Sequence, residues 1–437
     1  MRFILTLYGL LFVFVTSFGQ EGFGFDNQKE KVKIPFQLIN NLIFIPVTIN
    51  DVPLTFMLDT GVKETVLFSL ENHKEVSLNF LEKIKLKGLG TKEAVEAFKS
   101  SKNKVNIRGY LDLDHDIYIV TDQDFNISSK VGIPVNGIIG YPFFKNHLVE
   151  INYKKKIIVV YEDSNRKKQQ KLSKRFYSDS LIIEGNKPYC LMNIVSKTTP
   201  TAAKMLLDTG NSDAVWLFKS QTNMIKLPDI TITDYLGTGF SGEIYGQRGR
   251  ISTISFGNII LKNLLAAFPD STSMQRVNFV SNRLGSIGGE VLSRFTIFLD
   301  YQNKRYYTKP NTNINNPFHY NMSGIEVAHA GVEWVEESVH KVEEQKNNTE
   351  KNDNSLNTRF TLKPVFVVFN IRKGSAAEEA GLLVNDKIVK INNRPAHNLT
   401  IEKINQLLRS EEGNTVEISV ERGIRQYKFR VKLKSVI

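Results

Sequence analysis

The chain has 437 residues, of which 41% are hydrophobic and 23% charged, so it can bury cores in roughly two to four domains. Its 28 glycines and 13 prolines are ordinary usage and exclude a collagen-like or wholly disordered chain. The single cysteine, Cys190, excludes an internal disulfide and a cysteine-rich metal centre, and the formal charge of +12 comes without the aromatic interleaving of a nucleic-acid surface. We therefore expect no metal, no cofactor and no nucleic-acid partner.

Residues 1–19 predict an export signal. Arg2 gives a positive start, residues 4–15 are mostly apolar, and Ser17 and Gly19 are small residues at a cleavage point before Gln20. The apolar run is shorter than the ~20 residues of a bilayer span. We expect cleavage, a mature chain without a transmembrane span, and export to the periplasm or outside the cell.

Two long stretches are rich in short runs of β-branched and aromatic residues separated by Asn, Asp and Gly, which predicts strands and tight turns. They give one predicted lobe at residues 32–162 and a second at 177–310. The segment between them, 163–176, is strongly basic and is predicted to be a linker.

The two stretches are copies of one pattern. Each has an apolar strand ending in Asp-Thr-Gly, then Gly-x-Gly, then an apolar residue before a glycine, at matching offsets. The first copy comprises Asp59-Thr60-Gly61, Gly88 and Gly90, and Ile138-Ile139-Gly140; the second comprises Asp208-Thr209-Gly210, Gly237 and Gly239, and Ser286-Ile287-Gly288. This duplication predicts two lobes of like fold.

A pseudo-twofold axis between such lobes would bring Asp59 and Asp208 together. Two adjacent carboxylates cannot both ionise cheaply, so the pair holds one proton. The ionised member can then activate a water while the protonated member donates to a carbonyl oxygen. The two glycine pairs, Gly88 with Gly90 and Gly237 with Gly239, fit flexible hairpin tips, or flaps, that close over a bound peptide.

On these motifs, residues 32–310 resemble an aspartic peptidase of the pepsin and retropepsin clan. The resemblance implies a mainly β fold with two pepsin/retropepsin-like β-barrel lobes related by pseudo-twofold symmetry. It implies Asp59 and Asp208 as the catalytic pair, supported by Thr60, Gly61, Thr209 and Gly210. Val62 and Asn211 stand where the family has Ala or Ser, Ser286 replaces an apolar residue, and Tyr245 is a candidate flap tyrosine.

The C-terminal part has a different pattern. Residues 336–358 are rich in Glu, Lys and Asn, which predicts a mobile charged insertion. Predicted elements follow at 365–371 (strand), 375–380 (helix), 387–391 (strand), 400–409 (helix capped by Thr400), and 416–420 with 427–433 (hairpin).

Residues 317–437 resemble a PDZ domain, an α+β fold. The motifs are Gly374-Ser375-Ala376-Ala377, Ala380-Gly381-Leu382 and Asp386–Asn392. The resemblance implies that Met322, Ser323, Gly324 and Ile325 receive a peptide's terminal carboxylate and that Ile401 lines the peptide groove, although at single apolar helix positions core is the commoner outcome.

The sequence thus predicts a secreted bacterial aspartic endopeptidase, with a peptide or protein substrate and a PDZ domain that recruits substrate or a C-terminal peptide ligand. The alternative is a non-catalytic peptide-binding or scaffolding protein of the cell envelope, using the cleft and the PDZ groove.

Overall fold

A computed structural model describes ten segments of the chain: residues 22–26, 29–70, 75–86, 95–121, 126–162, 166–218, 225–239, 242–274, 280–340 and 356–437. The predicted export signal and the predicted flap glycines Gly88 and Gly90 lie outside these residues. In the described part, no helix is long and apolar enough to cross a membrane.

Lobe 1 consists of strands and two short helices. They are β1 (Gly24–Phe25), β2 (Lys31–Pro35), β3 (Gln37–Ile39), β4 (Leu42–Ile49), β5 (Val52–Leu58), β6 (Thr65–Leu67), β7 (Glu82–Leu86), β8 (Val95–Ile107), β9 (Tyr110–Val120), α1 (Ser128–Val131), β10 (Gly137–Ile139), α2 (Tyr141–Phe144), β11 (Leu148–Asn152) and β12 (Ile157–Tyr161). Two-residue turns with positive φ, at Asn40-Asn41 and Asn50-Asp51, join β3 to β4 and β4 to β5. Asn and Asp tolerate this left-handed conformation, which explains the Asn-rich turn signals.

The lobe 1 strands close into a barrel. Within the described residues the pairings run from β4 through β5, β10, β6, β9 and β8 back to β4. The barrel interior is filled by apolar side chains such as Ile45, Phe56 and Ile107, all with 0% exposure. Closure removes free sheet edges, and it fixes the end of β5 against β10.

The predicted basic linker contains a helix, α3 (Arg166–Arg175), which packs against lobe 2 strands. Lobe 2 follows with β13 (Tyr177–Ser180), β14 (Ile182–Glu184), β15 (Lys187–Val195), β16 (Pro200–Leu207), β17 (Val215–Leu217), β18 (Thr231–Gly239), β19 (Gly242–Phe256), β20 (Ile259–Pro269), α4 (Ser271–Met274), β21 (Arg283–Ile287), α5 (Gly289–Leu292), β22 (Phe295–Asp300) and β23 (Arg305–Pro310).

The lobe 2 barrel repeats the strand order of the lobe 1 barrel. Its pairings, again over the described residues, run from β15 through β16, β21, β17, β20 and β19 back to β15. A further sheet joins the lobes, in the order β13-β23-β22-β11-β12-β2, with β11 of lobe 1 antiparallel to β22 of lobe 2. The predicted mainly β, two-lobed architecture is confirmed.

The C-terminal domain is a sheet with two helices. Its elements are β24 (Ile325–His340), β25 (Leu356–Ile371), α6 (Ala376–Ala380), β26 (Lys387–Ile391), β27 (Arg394–Pro395), a 3-10 turn (Ala396–Asn398), α7 (Ile401–Leu408), β28 (Thr415–Arg422) and β29 (Arg425–Lys432). The Ser375 and Thr400 hydroxyls cap α6 and α7 by accepting from backbone N–H groups, and Gly381 ends α6 at φ 90°. These caps explain why both helices were readable in the sequence.

The structure differs from the predicted mobile insertion at its two edges. Residues 336–340 pair in register with 356–360 as the outer part of the β24–β25 hairpin, and residues 341–355 lie outside the described residues. The charged composition suggested coil. Strand pairing satisfies backbone groups whatever the side chains are, and Val335, Val339 and Thr358 favour strand locally.

Candidate active site

Each Asp-Thr-Gly motif begins where a barrel strand ends. Asp59 follows β5 and Asp208 follows β16. The Asp59 backbone N–H donates to Ile139 O of β10 at 2.9 Å, and that of Asp208 donates to Ile287 O of β21 at the same distance. The apolar residues before each later glycine thus hold the two loops, which accounts for the matched spacing in the sequence.

The two threonines bind the loops to each other across the lobe boundary. Thr60 Oγ1 donates to Leu207 O at 2.6 Å and accepts from Thr209 N at 3.0 Å. Reciprocally, Thr209 Oγ1 donates to Leu58 O at 2.8 Å and accepts from Thr60 N at 3.0 Å. Both threonines are buried, so these bonds are shielded from water and fix the loops in one geometry.

The two carboxyl groups face each other between the lobes. A side-chain hydrogen bond joins Asp59 and Asp208. Each carboxyl also lies over the other lobe's motif glycine: a methyl group added at Gly210 would lie 2.1 Å from Asp59 Oδ2, and one added at Gly61 would lie 2.8 Å from Asp208 Oδ1. Glycine is therefore required at both positions by space.

Each carboxyl also accepts a backbone hydrogen bond from its own loop. Gly61 N donates to Asp59 Oδ1 at 2.7 Å, and Gly210 N donates to Asp208 Oδ1 at 3.2 Å. These bonds turn each carboxyl toward its partner. The support roles predicted for Thr60, Gly61, Thr209 and Gly210 correspond to contacts in the structure.

The surroundings of the two carboxyl groups are unequal. Burial, together with the negative charge of Asp208, raises the pKa of Asp59 to about 8. Burial also raises the pKa of Asp208, but the positive charges of Arg283 and Lys187 oppose this increase. The shared proton is therefore favoured on Asp59, and the negative charge on Asp208.

Arg283 and Lys187 were missed by the sequence analysis. Arg283 is 6% exposed; its Nε donates to Gly285 O and its Nη2 to Ser286 Oγ, both at 3.1 Å. Ser286 is therefore polar because it holds this guanidinium. Alignment of the two repeats contained the signal, since lobe 1 has Val135 and Ile138 at the equivalent positions.

The lobe 2 flap glycines lie on the β18–β19 hairpin, where Gly239 pairs with Gly242, and a methyl group added at Gly237 would come within 4 Å of no non-neighbouring residue that the structure describes. Tyr245, the candidate flap tyrosine, packs on Tyr235 with ring centroids 5.6 Å apart, and Tyr235 in turn contacts Phe369 of the C-terminal domain. The described part of this hairpin is thus held by the C-terminal domain, and Tyr245 lines a cavity between them.

The family model for the PDZ domain matches residues 367–422, which span β25 to β28. Residues 367–422 are a PDZ domain. The chain is also similar to an aspartic proteinase from Irpex lacteus, with a TM-score of 0.41 and 11% identity, over 65% of this chain and 99% of that one. No curated protein matches the chain.

The predicted carboxylate-binding loop of the PDZ domain differs from expectation. The N–H of Gly324 donates to Asn321 Oδ1 and that of Ile325 to Ser323 Oγ, both at 3.2 Å. Ser323 is fully buried and Met322 is 6% exposed. Because Asn321 and Ser323 occupy these two donors, neither N–H is available to an incoming carboxylate in this conformation.

The predicted groove of the PDZ domain, between β24 and α7, is covered by lobe 1. Helix α1 packs against both elements, and a methyl group at Gly132, which ends α1, would lie 3.1 Å from Ile401 Cγ2. Ile325 and Ile401 are 0% and 2% exposed. Ile401 is thus a buried residue at the junction between the PDZ domain and lobe 1.

Polar contacts hold the PDZ domain to both lobes. Asn405 Nδ2 of α7 donates to Asn40 Oδ1 of lobe 1 at 3.3 Å. On lobe 2, Asp234 accepts from Arg248 Nε at 3.0 Å and forms an ion pair with Arg372 of the PDZ domain at 3.5 Å. The PDZ domain therefore bridges the lobes beside the cleft.

Proposed function

We propose that this chain is an aspartic endopeptidase that hydrolyses peptide bonds with a water activated by Asp59 and Asp208. The observation that carries the proposal is the pair of carboxyl groups, supplied by equivalent loops of two like lobes and hydrogen-bonded to each other. The reciprocal hydrogen bonds of Thr60 and Thr209 hold this pair in a fixed geometry, which a general acid and a general base require.

The unequal surroundings suggest a direction for proton transfer. Asp208 as the carboxylate takes a proton from the water, whose oxygen attacks the peptide carbonyl carbon while Asp59 donates its proton to the carbonyl oxygen. In the second step Asp208 gives its proton to the leaving nitrogen, the C–N bond breaks, and Asp59 recovers a proton from a hydroxyl of the tetrahedral intermediate. The proton balance closes with one water consumed.

The test is hydrolysis of a diverse peptide library by the purified mature chain between pH 3 and 8. We expect cleavage, and its loss in Asp59→Asn and Asp208→Asn. Asp270→Asn, at an exposed lobe 2 position, is the matched control and should retain activity. Full activity in either dyad variant would contradict the proposal. Peptide binding without products at any pH would favour the non-catalytic alternative.

We further propose that the chain is exported, from the pattern of residues 1–19. The mature N-terminus should then be Gln20, and sequencing of the protein recovered outside the cytoplasm tests this. A product starting at Met1 in the cytoplasm would contradict it.

A further inference from the structure

The walls of the cleft on either side of the dyad differ in chemistry although they have equivalent positions. Phe44 pairs with Met57 two residues before Asp59, and Tyr189 pairs with Leu206 two residues before Asp208. When the two repeats are aligned in this way, four positions of lobe 1 correspond to four positions of lobe 2. We name Leu42, Phe44, Val135 and Ile138 the apolar wall, and Lys187, Tyr189, Arg283 and Ser286 the cationic wall.

The apolar wall is ordinary hydrophobic packing. Phe44, Val135 and Ile138 are 1%, 0% and 2% exposed and form one cluster with Met57 and Val131. Of the four, Leu42 alone is partly exposed, so the lobe 1 side offers a substrate apolar contact and no group that binds a charge.

The cationic wall concentrates two positive charges beside the dyad. Strand alternation places Lys187 and Tyr189 on one face of β15, whereas Pro188 and Cys190 point to the other. Arg283 lies against the Tyr189 and Phe218 rings, at 5.9 and 5.0 Å from their centroids. Arg283 is thus a cation held against the Tyr189 ring, and Lys187 lies on the same face of β15 as Tyr189.

The Lys187 ammonium forms no hydrogen bond or ion pair with another residue in the described parts of the chain, although it is mostly shielded from solvent. Burial and the nearby Arg283 lower the pKa of Lys187, and its charge acts on both Asp59 and Asp208. The carboxylates of Asp59, Asp208 and Glu64 act on this ammonium through space but none contacts it, so it lacks an acceptor among the described residues. A carboxylate brought by a ligand would supply that acceptor.

We propose that the cationic wall is a carboxylate-binding subsite, so that the preferred substrate has an acidic group on the lobe 2 side of the scissile bond and an apolar side chain on the lobe 1 side. The position of the subsite relative to a scissile bond rests on the proposed peptidase function, but binding of a carboxylate at the cationic wall does not require cleavage. The carboxylate can come from a Glu or Asp side chain or from the C-terminus of a short substrate.

The test compares three peptide series with the full mature chain, each with an apolar residue before the cleavable bond. In the first series the residue after the cleavable bond is Glu, and in the second it is Gln. In the third series that residue is uncharged and is the last of the peptide, so that it carries a free terminal carboxylate. We expect kcat/KM to be about tenfold or more higher for Glu than for Gln, the size expected of one charge-assisted hydrogen bond. Preference for the free carboxylate instead would identify a terminal carboxylate as the ligand.

Lys187→Met keeps the apolar stem and removes the charge, so the Glu-to-Gln ratio should fall to near one. Lys262→Met, at an exposed lobe 2 strand position, is the matched control and should keep the ratio. A wild-type ratio of one overturns the inference. So does a Glu-to-Gln ratio that stays at the wild-type value in Lys187→Met while the pH profile shifts equally for both peptides, because Lys187 would then act only on the dyad.

A binding measurement separates this inference from the peptidase proposal. Peptides of the Glu and Gln series with a hydroxyethylene unit in place of the scissile amide are titrated against the wild type and Lys187→Met. Tighter, Lys187-dependent binding of the Glu peptide without cleavage of any amide peptide would support the subsite and contradict the peptidase. Cleavage of the amide peptides together with equal binding of the Glu and Gln analogues would support the peptidase and contradict the subsite.

Discussion

Asp59 and Asp208 belong to the same tripeptide but have different neighbours. Burial has the largest effect on the pKa of both carboxyls, and Lys187 opposes it at both; the charge of Arg283 opposes it only at Asp208, whereas the charge of Asp208 adds to the increase at Asp59. The asymmetry comes from side chains outside the motif, on β15 and β21. At the scale of single residues, the chemistry of the dyad therefore depends on where the two repeats have diverged.

Asp59 must carry a proton to act as the acid, so its pKa sets an alkaline limit. Because burial and Asp208 raise that pKa to about 8, hydrolysis should fall as the pH rises through this value. The measurement is kcat/KM against pH for one neutral peptide. A rate that stays constant to pH 10 would contradict the assignment.

Arg283 should set the acidic limit through Asp208. Its charge favours the carboxylate, so Arg283→Met should raise the pKa of Asp208 and move the acid limb of the profile to higher pH. Arg283→Lys keeps the charge and should restore most of the original limb. Arg425→Met, exposed on β29, is the control. An unchanged acid limb in folded Arg283→Met would contradict this role.

The raised pKa also links folding to pH. Asp59 binds its proton more tightly when folded than when unfolded, where its pKa is near 3.8. Its contribution to the free energy of unfolding is thus fully present below pH ~4 and is lost as the pH rises through the folded value. Asp59→Asn should therefore be more stable than the wild type at pH 8. Urea unfolding at pH 5 and 8 measures the difference, and a wild type more stable than the variant at pH 8 would contradict it.

At the scale of elements, the two motif loops stabilise each other. Thr60→Val removes one hydroxyl and leaves Leu207 O and Thr209 N without their partner, at a cost of about 1–3 kcal/mol for each buried group. Thr60→Ser keeps the hydroxyl and should cost much less. Urea unfolding midpoints compare the two variants, and equal midpoints would show that the hydroxyl bonds are not what couples the loops.

The sequence predicted elements well where local chemistry determines them. The bounds of α6 and α7 were predicted to within a residue, α7 from its cap Thr400, and the duplicated motifs identified the dyad loops. The sequence did not predict elements whose structure depends on a partner strand or on a neighbouring domain. The β24–β25 hairpin continues through charged residues because two strands satisfy each other's backbones, and no local pattern in the sequence indicates α1 as a contact of another domain.

At the scale of the whole molecule, the PDZ domain is a structural partner of the lobes. Deleting residues from 317 would remove Arg372 from Asp234 and expose the α1 surface, but the threonine bonds lie wholly within the lobes. The truncated chain should keep its dyad while its Tm falls by at least about 2–4 °C, the shift that 1 kcal/mol produces in domains of this size. Thermal unfolding measures this. An unchanged Tm would mean that the docking contributes no stability.

Because α1 covers the predicted peptide groove of the PDZ domain, any ligand from outside the chain must compete with α1 for that groove. Because α1 belongs to the same chain, it competes as a tethered occupant, at an effective concentration on the order of millimolar. A peptide from outside would have to displace α1 before it could enter the groove. Under the proposed function, a polypeptide already held in the cleft would have an advantage over a free peptide, because its second binding event would be intramolecular.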